Sequence, residues 1–161
     1  MDVNPHNFKK AMGSFATGVT VVTARSAAGE PQGVTVNAFS SVSMEPPMVL
    51  ICLGRRTHEL AAYTEGDGFV VNILRDDQRE ASITFASRAE DKFDHVETEE
   101  GMNRLPLIKG CLANIQCTVE SVHDGGDHVI VVGRVQDLSV AAGGQPLLYF
   151  RGAYHALGQE P

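Results

Sequence analysis

Thr35, Asn37, Ser40, Ser41 and Ser43 fall within nine positions of a segment that starts as an alternating strand and ends at Pro46-Pro47. Core-building strands rarely carry so many hydroxyls and amides. Together with the main chain at Val36, these side chains could offer hydrogen bonds to something held against the strand; a polar outer face of an edge strand is the plainer reading. A second stretch, Cys52-Leu53-Gly54-Arg55-Arg56-Thr57-His58, ends a strand with a glycine, two arginines and a threonine at a helix start. Helix-terminal N–H groups, the Thr57 hydroxyl and a guanidinium all favour a phosphate dianion. Simple capping beside solvated arginines would read the same way. A third stretch, Ser82 to Arg88 with Lys92 beyond it, could add charge from Arg88 and Lys92 and a wall from Phe85-Ala86; the bland alternative is a helix end and a solvated loop. The fourth pairs Gly126-Asp127-His128 with Arg151-Gly152-Ala153-Tyr154. A histidine opening a strand after a tight turn could touch a nicotinamide or its phosphates, and a tyrosine ring could stack on a planar ligand, although both residues more often serve packing.

Other chemistry is missing. There is no G-x-S-x-G elbow, no H-E-x-x-H, no P-loop and no G-x-G-x-x-G after a strand. The cysteines Cys52, Cys111 and Cys117 lack metal spacing and read as buried free thiols of a reducing compartment. Without an obvious nucleophile, metal or acid–base pair, the hard step falls to a cofactor, and the four stretches fit a flavin ring and phosphate site.

The bulk numbers agree. A chain of 161 residues, 43% hydrophobic and 20% charged, suits one domain spanning 1–161. A net charge of -7 argues against a nucleic-acid or anionic-membrane partner. The start Met1-Asp2-Val3-Asn4-Pro5-His6 has no basic leader or apolar run, and no segment approaches membrane length, so the expectation is a soluble cytoplasmic protein.

The elements that must hold these residues follow from pattern. Asn4-Pro5 predicts a helix start, with Phe8, Ala11, Met12 and Phe15 on one face and Gly18 as the stop. Val19 to Arg25 predicts a strand that makes a hairpin with the next one through the turn at 26–31. Met48 to Leu53 reads as a strand buried on both sides, followed by a helix capped by Thr57 with Glu59 in its first turn. Phe69 to Leu74 is a strand, and Asp77 with Glu80 resembles a capping box for a helix running toward Phe85. Residues 87–110 read as a long irregular connection that carries function or covers a site. Cys111 to Val122 alternates, with Cys111 and Cys117 on one face; His128 to Val135 and Leu147 to Tyr154 complete about seven strands. With so few helical crossovers, the expected class is mainly β with peripheral helices, an antiparallel barrel closed or nearly so.

In order and over nearly the whole chain, Phe15 to Thr23, Gly33 to Ser43, Pro46-Pro47, Phe69 to Leu74, Gly126 to His128 and Leu148 to Tyr154 resemble the short-chain flavin reductase family, the reductase components of two-component flavin-dependent monooxygenases. The resemblance implies a split β-barrel, usually a homodimer, that binds FMN or FAD. It also implies NADH or NADPH as electron donor and a separate oxygenase that receives reduced flavin. By position it assigns ring and ribityl contacts to Thr35, Val36, Asn37, Ser40 and Ser41. Phosphate contacts go to the turn of Cys52, Leu53, Gly54, Arg56, Thr57 and His58, and flavin contact to Phe85 and Ala86. Arg88 and Lys92 remain candidate phosphate ligands, while His128 and the carboxy-terminal region of Arg151 and Tyr154 fall to the nicotinamide cofactor.

The expected reaction is hydride transfer set by orientation, with no certain catalytic side chain. Three other readings compete: a flavin carrier or sensor without turnover, an oxidase resembling the pyridoxamine-phosphate enzymes, and a scaffolding barrel. The second of these needs a further basic phosphate site for which few cations are spare.

Overall fold

The structure, a computed structural model, describes residues 2–158. In chain order its elements are α1 (Pro5–Met12), β1 (Thr17–Gly18), β2 (Thr20–Arg25), β3 (Pro31–Val36), β4 (Phe39–Met44), β5 (Pro47–Gly54) and α2 (Leu60–Thr64). Then come β6 (Phe69–Ile73), α3 (Arg79–Ala86), β7 (Thr98–Glu100), β8 (Pro106–Ile108), β9 (Ala113–Gly125), β10 (His128–Val140), β11 (Leu148–Phe150) and β12 (Ala153–His155).

Seven strands pair antiparallel in the order β3-β2-β6-β9-β10-β5-β4. β3 and β4 stand at opposite edges of that order, yet only Asn37 and Ala38 separate them along the chain. A two-residue link cannot span a flat seven-stranded sheet, so the sheet coils until its edges approach. The Cys52 N–H donates to the Ala38 carbonyl at 3.0 Å and holds this crossing against β5. Among the described residues no ladder joins β3 to β4, so the sheet is a coiled, split antiparallel body: antiparallel as the pattern predicts, and open between its edges as the resemblance implies.

The inside of the coil is filled by Val22, Ile51, Phe69, Val71, Cys117 and Val131, all fully buried. A second apolar cluster, with Val21, Leu74 and Phe85, lies between the sheet and α3. Each such side chain contributes roughly 1.5–3 kcal/mol. Among the described residues the buried side-chain polar atoms are matched except for the Thr17 hydroxyl. Asn72 donates to the Val21 carbonyl at 2.9 Å, and its Oδ1 accepts from the Ile108 N–H at 2.9 Å and from Asn114 Nδ2 at 2.7 Å.

Several expectations need correction. α1 is capped as predicted, with Asn4 Oδ1 accepting from the Asn7 N–H at 2.9 Å, but it ends at Gly13 rather than Gly18. Tertiary pairing of Thr17–Gly18 with β11 takes the intervening chain out of the helix, and Phe8, Met12 and Phe15 stay exposed. β5 is buried on one face only, at Val49, Ile51 and Leu53. Thr57 caps no helix: its N–H closes a turn onto the Gly54 carbonyl at 2.9 Å, and α2 follows Glu59, which holds a left-handed φ of 51°. The helix-entry bond before α3 comes from Gln78, whose Oε1 accepts from the Arg75 N–H at 2.9 Å, instead of from the Asp77 and Glu80 pair.

Residues 87–110 are not irregular throughout. They contain the β7–β8 hairpin, and Leu105, Leu107 and Ile108 are buried. Cys111 precedes β9 and joins the cluster beneath α3, whereas Cys117 joins the coil interior. All three cysteines are free thiols; Cys111 and Cys117 are buried as expected, and burial pushes them up to about 11 and about 12, but Cys52 is only half-buried. The predicted last strand is the β11–β12 hairpin, turned by Arg151 (φ 48°) and Gly152 (φ 82°).

Candidate functional site

One cleft of about 720 Å3 gathers residues from three parts of the chain. β3 contributes Gln32, Gly33 and Val34; the turn after β5 contributes Arg56, Thr57 and His58; the end of α3 and the segment beyond it contribute Phe85, Ala86, Arg88, Lys92 and Phe93. Its volume lies within the range of about 300–1,000 Å3 usual for small-molecule sites. Seven of the sequence candidates meet here: Arg56, Thr57, His58, Phe85, Ala86, Arg88 and Lys92.

The floor is built by close approach. Phe85 is fully buried and meets Phe93 edge-on, with ring centroids 5.1 Å apart. A Cβ at Gly33 would fall 2.4 Å from the Phe85 ring, so only glycine lets β3 lie this near. Lys92 Nζ donates to the Gly33 carbonyl at 3.2 Å and to the Phe85 carbonyl at 3.4 Å, strapping the chain after α3 back onto β3. Burial holds its ammonium below the usual lysine range. Sequence reasoning missed Gln32, Gly33, Val34 and Phe93 as lining; the Gly33 signal was a glycine inside a strand, which marks close approach.

The remaining candidates lie elsewhere. Thr35 Oγ1 donates to the Ser82 carbonyl at 2.6 Å and packs β3 on α3. Val36 and Leu53 point into the core, so only their main chain is open to a ligand. Asn37, Ser40 and Ser41 are exposed at the crossing and on edge strand β4, and Cys52 is half-buried on β5. Tyr154 is tied to α3: its hydroxyl bonds Ser82 Oγ at 2.8 Å, and the Arg79 guanidinium sits 5.3 Å from its ring centroid. Arg151 lies at the β11–β12 turn, its N–H donating to the Gly13 carbonyl at 2.9 Å and its guanidinium 5.1 Å from the Phe150 ring centroid. Neither residue lines the cleft.

His128 stands beside it. The β5–β10 register pairs His128 with Gly54, and a Cβ on Gly54 would lie 3.8 Å from His128 Nε2 and 3.9 Å from Thr57 Oγ1. His128 Nδ1 bonds Asp127 Oδ1 at 2.7 Å, which holds that carboxyl below its usual range.

The charge is uneven. Among the described residues Arg56, Arg88 and Lys92 form no ion pair, although the chain carries -7 overall. Glu90 is the one carboxylate lining the cleft. Cations beside a strand-end turn and a threonine hydroxyl form a donor set that fits a phosphate, and an aromatic floor under a concave wall fits a planar ring.

Comparison with known proteins agrees with this geometry. The flavin reductase like domain matches residues 12–158. The chain is 40% identical over 159 residues to the flavin-dependent monooxygenase reductase subunit HsaB of Rhodococcus jostii, covering 99% of this chain and 80% of that one. The crystal structure of nitrilotriacetate monooxygenase component B from Mycobacterium thermoresistibile superposes with a TM-score of 0.91 at 37% identity, over 97% of this chain and 89% of that one. The NADH:FAD oxidoreductase SgcE6 of Streptomyces globisporus, solved in complex with NAD and FAD fragments, gives a TM-score of 0.88 at 34% identity, over 98% and 97% of the two chains. Fold, cleft and sequence together place this chain in the flavin reductase like domain family.

Proposed function

We propose that this protein is an NAD(P)H-dependent flavin reductase that supplies reduced FMN or FAD to a separate monooxygenase. One observation supports the reading most strongly. An acidic chain keeps three cations that are unpaired among the described residues around one cleft with aromatic lining, in a fold shared with proteins named as monooxygenase reductase subunits. Bound flavin would supply the hydride-accepting ring, and reduced nicotinamide the hydride.

The chain's own part is to hold and orient. Arg56, Arg88 and Thr57 take the phosphate, with Lys92 adding charge from the strap. The half-buried Phe93 and the main chain of β3 form the surface against which the ring rests, with the buried Phe85 supporting them from beneath. His128, next to Gly54, takes the dinucleotide at the neighbouring position. Orientation of two bound partners, rather than a protein acid or base, accounts for the rate. No helix among the described residues is long and apolar enough to cross a membrane.

The protein is also proposed to work as a homodimer. The outer face of β5 is only half-buried, and Phe8, Met12, Phe15 and Met44 stand exposed, an apolar excess that a second copy would cover. Sedimentation equilibrium tests this, and a monomer at micromolar concentration would oppose it.

Anaerobic mixing with FMN or FAD and then NADH or NADPH tests the activity. Loss of the oxidised flavin's yellow absorption, with turnover when oxygen is admitted, is the expected result. Protein that binds flavin but never bleaches it would instead be a carrier. Steady-state oxidation with each flavin and each nicotinamide in turn ranks the natural pair.

A further inference from the structure

Two arginines stand side by side after β5, and the structure gives them different work. Arg56 lines the cleft with no carboxylate partner among the described residues. Arg55 is spent on the β9–β10 hairpin tip. Its N–H donates to the Asp127 carbonyl at 2.9 Å, its Nε to the Gly126 carbonyl at 2.9 Å, and one terminal nitrogen to Asp124 Oδ1 at 2.5 Å. Three donors of one residue thus grip three residues of the tip that leads directly into His128.

We infer that Arg55 is a positioning residue that latches the hairpin tip to the phosphate turn, and so sets where His128 stands relative to a nicotinamide bound beside the flavin. The inference rests on the proposed reductase reading and adds a residue to it. Apart from Arg55 the tip is held by main-chain pairing, His128 standing opposite Gly54 on β5 and Gly125 on β9. Gly126 holds a φ of 73°, and a Cβ there would meet no atom within 4 Å, so packing does not fix the turn. Asp124, Asp127 and His128 are exposed. The fork geometry of a guanidinium is what matches a carbonyl and a carboxylate at once; an ammonium at the same place is a point charge without that directionality. Loss of the latch would leave the hairpin ladder of β9 and β10 intact but free its tip to sample positions off the reactive one.

Arg55→Ala is expected to raise the KM for NADH by roughly fivefold, as loss of a few directional hydrogen bonds implies. kcat should fall much less, and the dissociation constant for FMN should change by under about twofold, whereas Arg56→Ala should do the reverse. Arg55→Lys keeps the charge and loses the fork, so it is expected to stay close to Arg55→Ala. The double variant Arg55→Ala/His128→Ala should be no worse than His128→Ala alone, because both act through the same group. Hydrogen exchange of the segment 122–130 reads the latch without catalysis, and should quicken in Arg55→Ala while exchange in β2 and β6 stays slow.

Unchanged exchange at the tip would overturn the latch whatever the kinetics. If His128→Ala raises the NADH KM and Arg55→Ala does not, the positioning role falls while the reductase reading stands. If neither His128→Ala nor Arg55→Ala moves that KM while turnover persists, the placement of the nicotinamide beside His128 falls, and the positioning role falls with it. Recovery of wild-type KM by Arg55→Lys would replace positioning by simple charge.

Discussion

Among the described residues two hollows are walled by α3 and its flanks, and both contain cations. The larger, of about 720 Å3, holds Arg56, Arg88 and Lys92 without ion-pair partners among the described residues. The smaller, of about 400 Å3, holds Arg75 and Lys109, and each is answered: Arg75 bonds both oxygens of Asp77, at 3.0 and 2.7 Å, and Lys109 lies 3.8 Å from Glu97. The Arg75 guanidinium holds the Asp77 carboxyl below its usual range, the mark of a pair already neutralised. Concavity and positive charge are therefore common to both hollows. The difference is that one has spent its charge internally and the other has kept it for an anion. Apolar aromatic lining adds to the contrast, since Phe85 and Phe93 line the larger hollow and no Phe, Tyr or Trp lines the smaller.

The largest effect that would break this contrast is at Arg56. Arg56→Ala should weaken FMN binding by roughly tenfold or more, the worth of a charge-assisted bond to phosphate. Riboflavin, which lacks the phosphate, should lose far less. Arg75→Ala in the smaller hollow should change FMN affinity by less than about twofold, because that guanidinium already faces Asp77. Fluorescence titration of each variant with both flavins gives the comparison. Equal losses from Arg56→Ala and Arg75→Ala would mean that bulk charge, not unpaired charge in the cleft, attracts the ligand.

Gly33 gives the next effect, through shape. A Cβ there must push into the Phe85 ring at 2.4 Å, and that ring is fixed by burial and by Phe93. Gly33→Ala should cost about 1–3 kcal/mol of stability as overpacking, read by urea denaturation. It should also raise the KM for either flavin several-fold, since the floor is displaced. A stable variant with unaltered flavin KM would show that the ring does not rest on this floor.

Much of this was legible in the residues. The capped start of α1, the β2–β3 hairpin, the turn at Gly126 and the mainly β, antiparallel class all follow from local pattern, because capping and turn chemistry act over a few residues; the split of the 32–43 stretch into β3 and β4 on opposite sheet edges does not. The contributions of Arg56, Thr57, Phe85, Arg88 and Lys92 to one cleft were also readable, as charge and aromatic side chains beside element ends. What the sequence hid was pairing at a distance. Nothing local says that Arg55 turns to residues 124–127 while Arg56 does not, or that the Tyr154 hydroxyl is consumed by Ser82. The strand-like pattern from Leu147 to Tyr154 concealed a hairpin because its turn rests half on Arg151, a non-glycine residue at positive φ; Gly152 was the one turn signal in the stretch. Leu105, Leu107 and Ile108 were lost in a polar neighbourhood although they fill part of the core.

The smallest predicted effect is the sharpest on electrostatics, and it concerns Lys92. Desolvation lowers its pKa from 10.5, so in an alkaline window below that value the folded chain binds fewer protons here than the unfolded chain. The sign follows: the penalty for holding a half-buried ammonium is present below the folded pKa and is relieved as pH rises through it, so this residue's own contribution to stability rises across the window. For a phosphate ligand the same event removes a cation and weakens binding. Affinity for FMN should fall about two- to threefold across the window, the worth of one partly screened charge, while affinity for riboflavin should not follow. The strap itself should survive, because a neutral amine keeps two N–H groups, enough for the Gly33 and Phe85 carbonyls that it holds. Lys92→Met should abolish the difference between the two flavins' pH profiles and lower FMN affinity at neutral pH toward the alkaline value of the parent chain. If FMN and riboflavin weaken in parallel in the parent, the cause is titration of the ring or of the fold, and Lys92 serves the cleft as a strap alone.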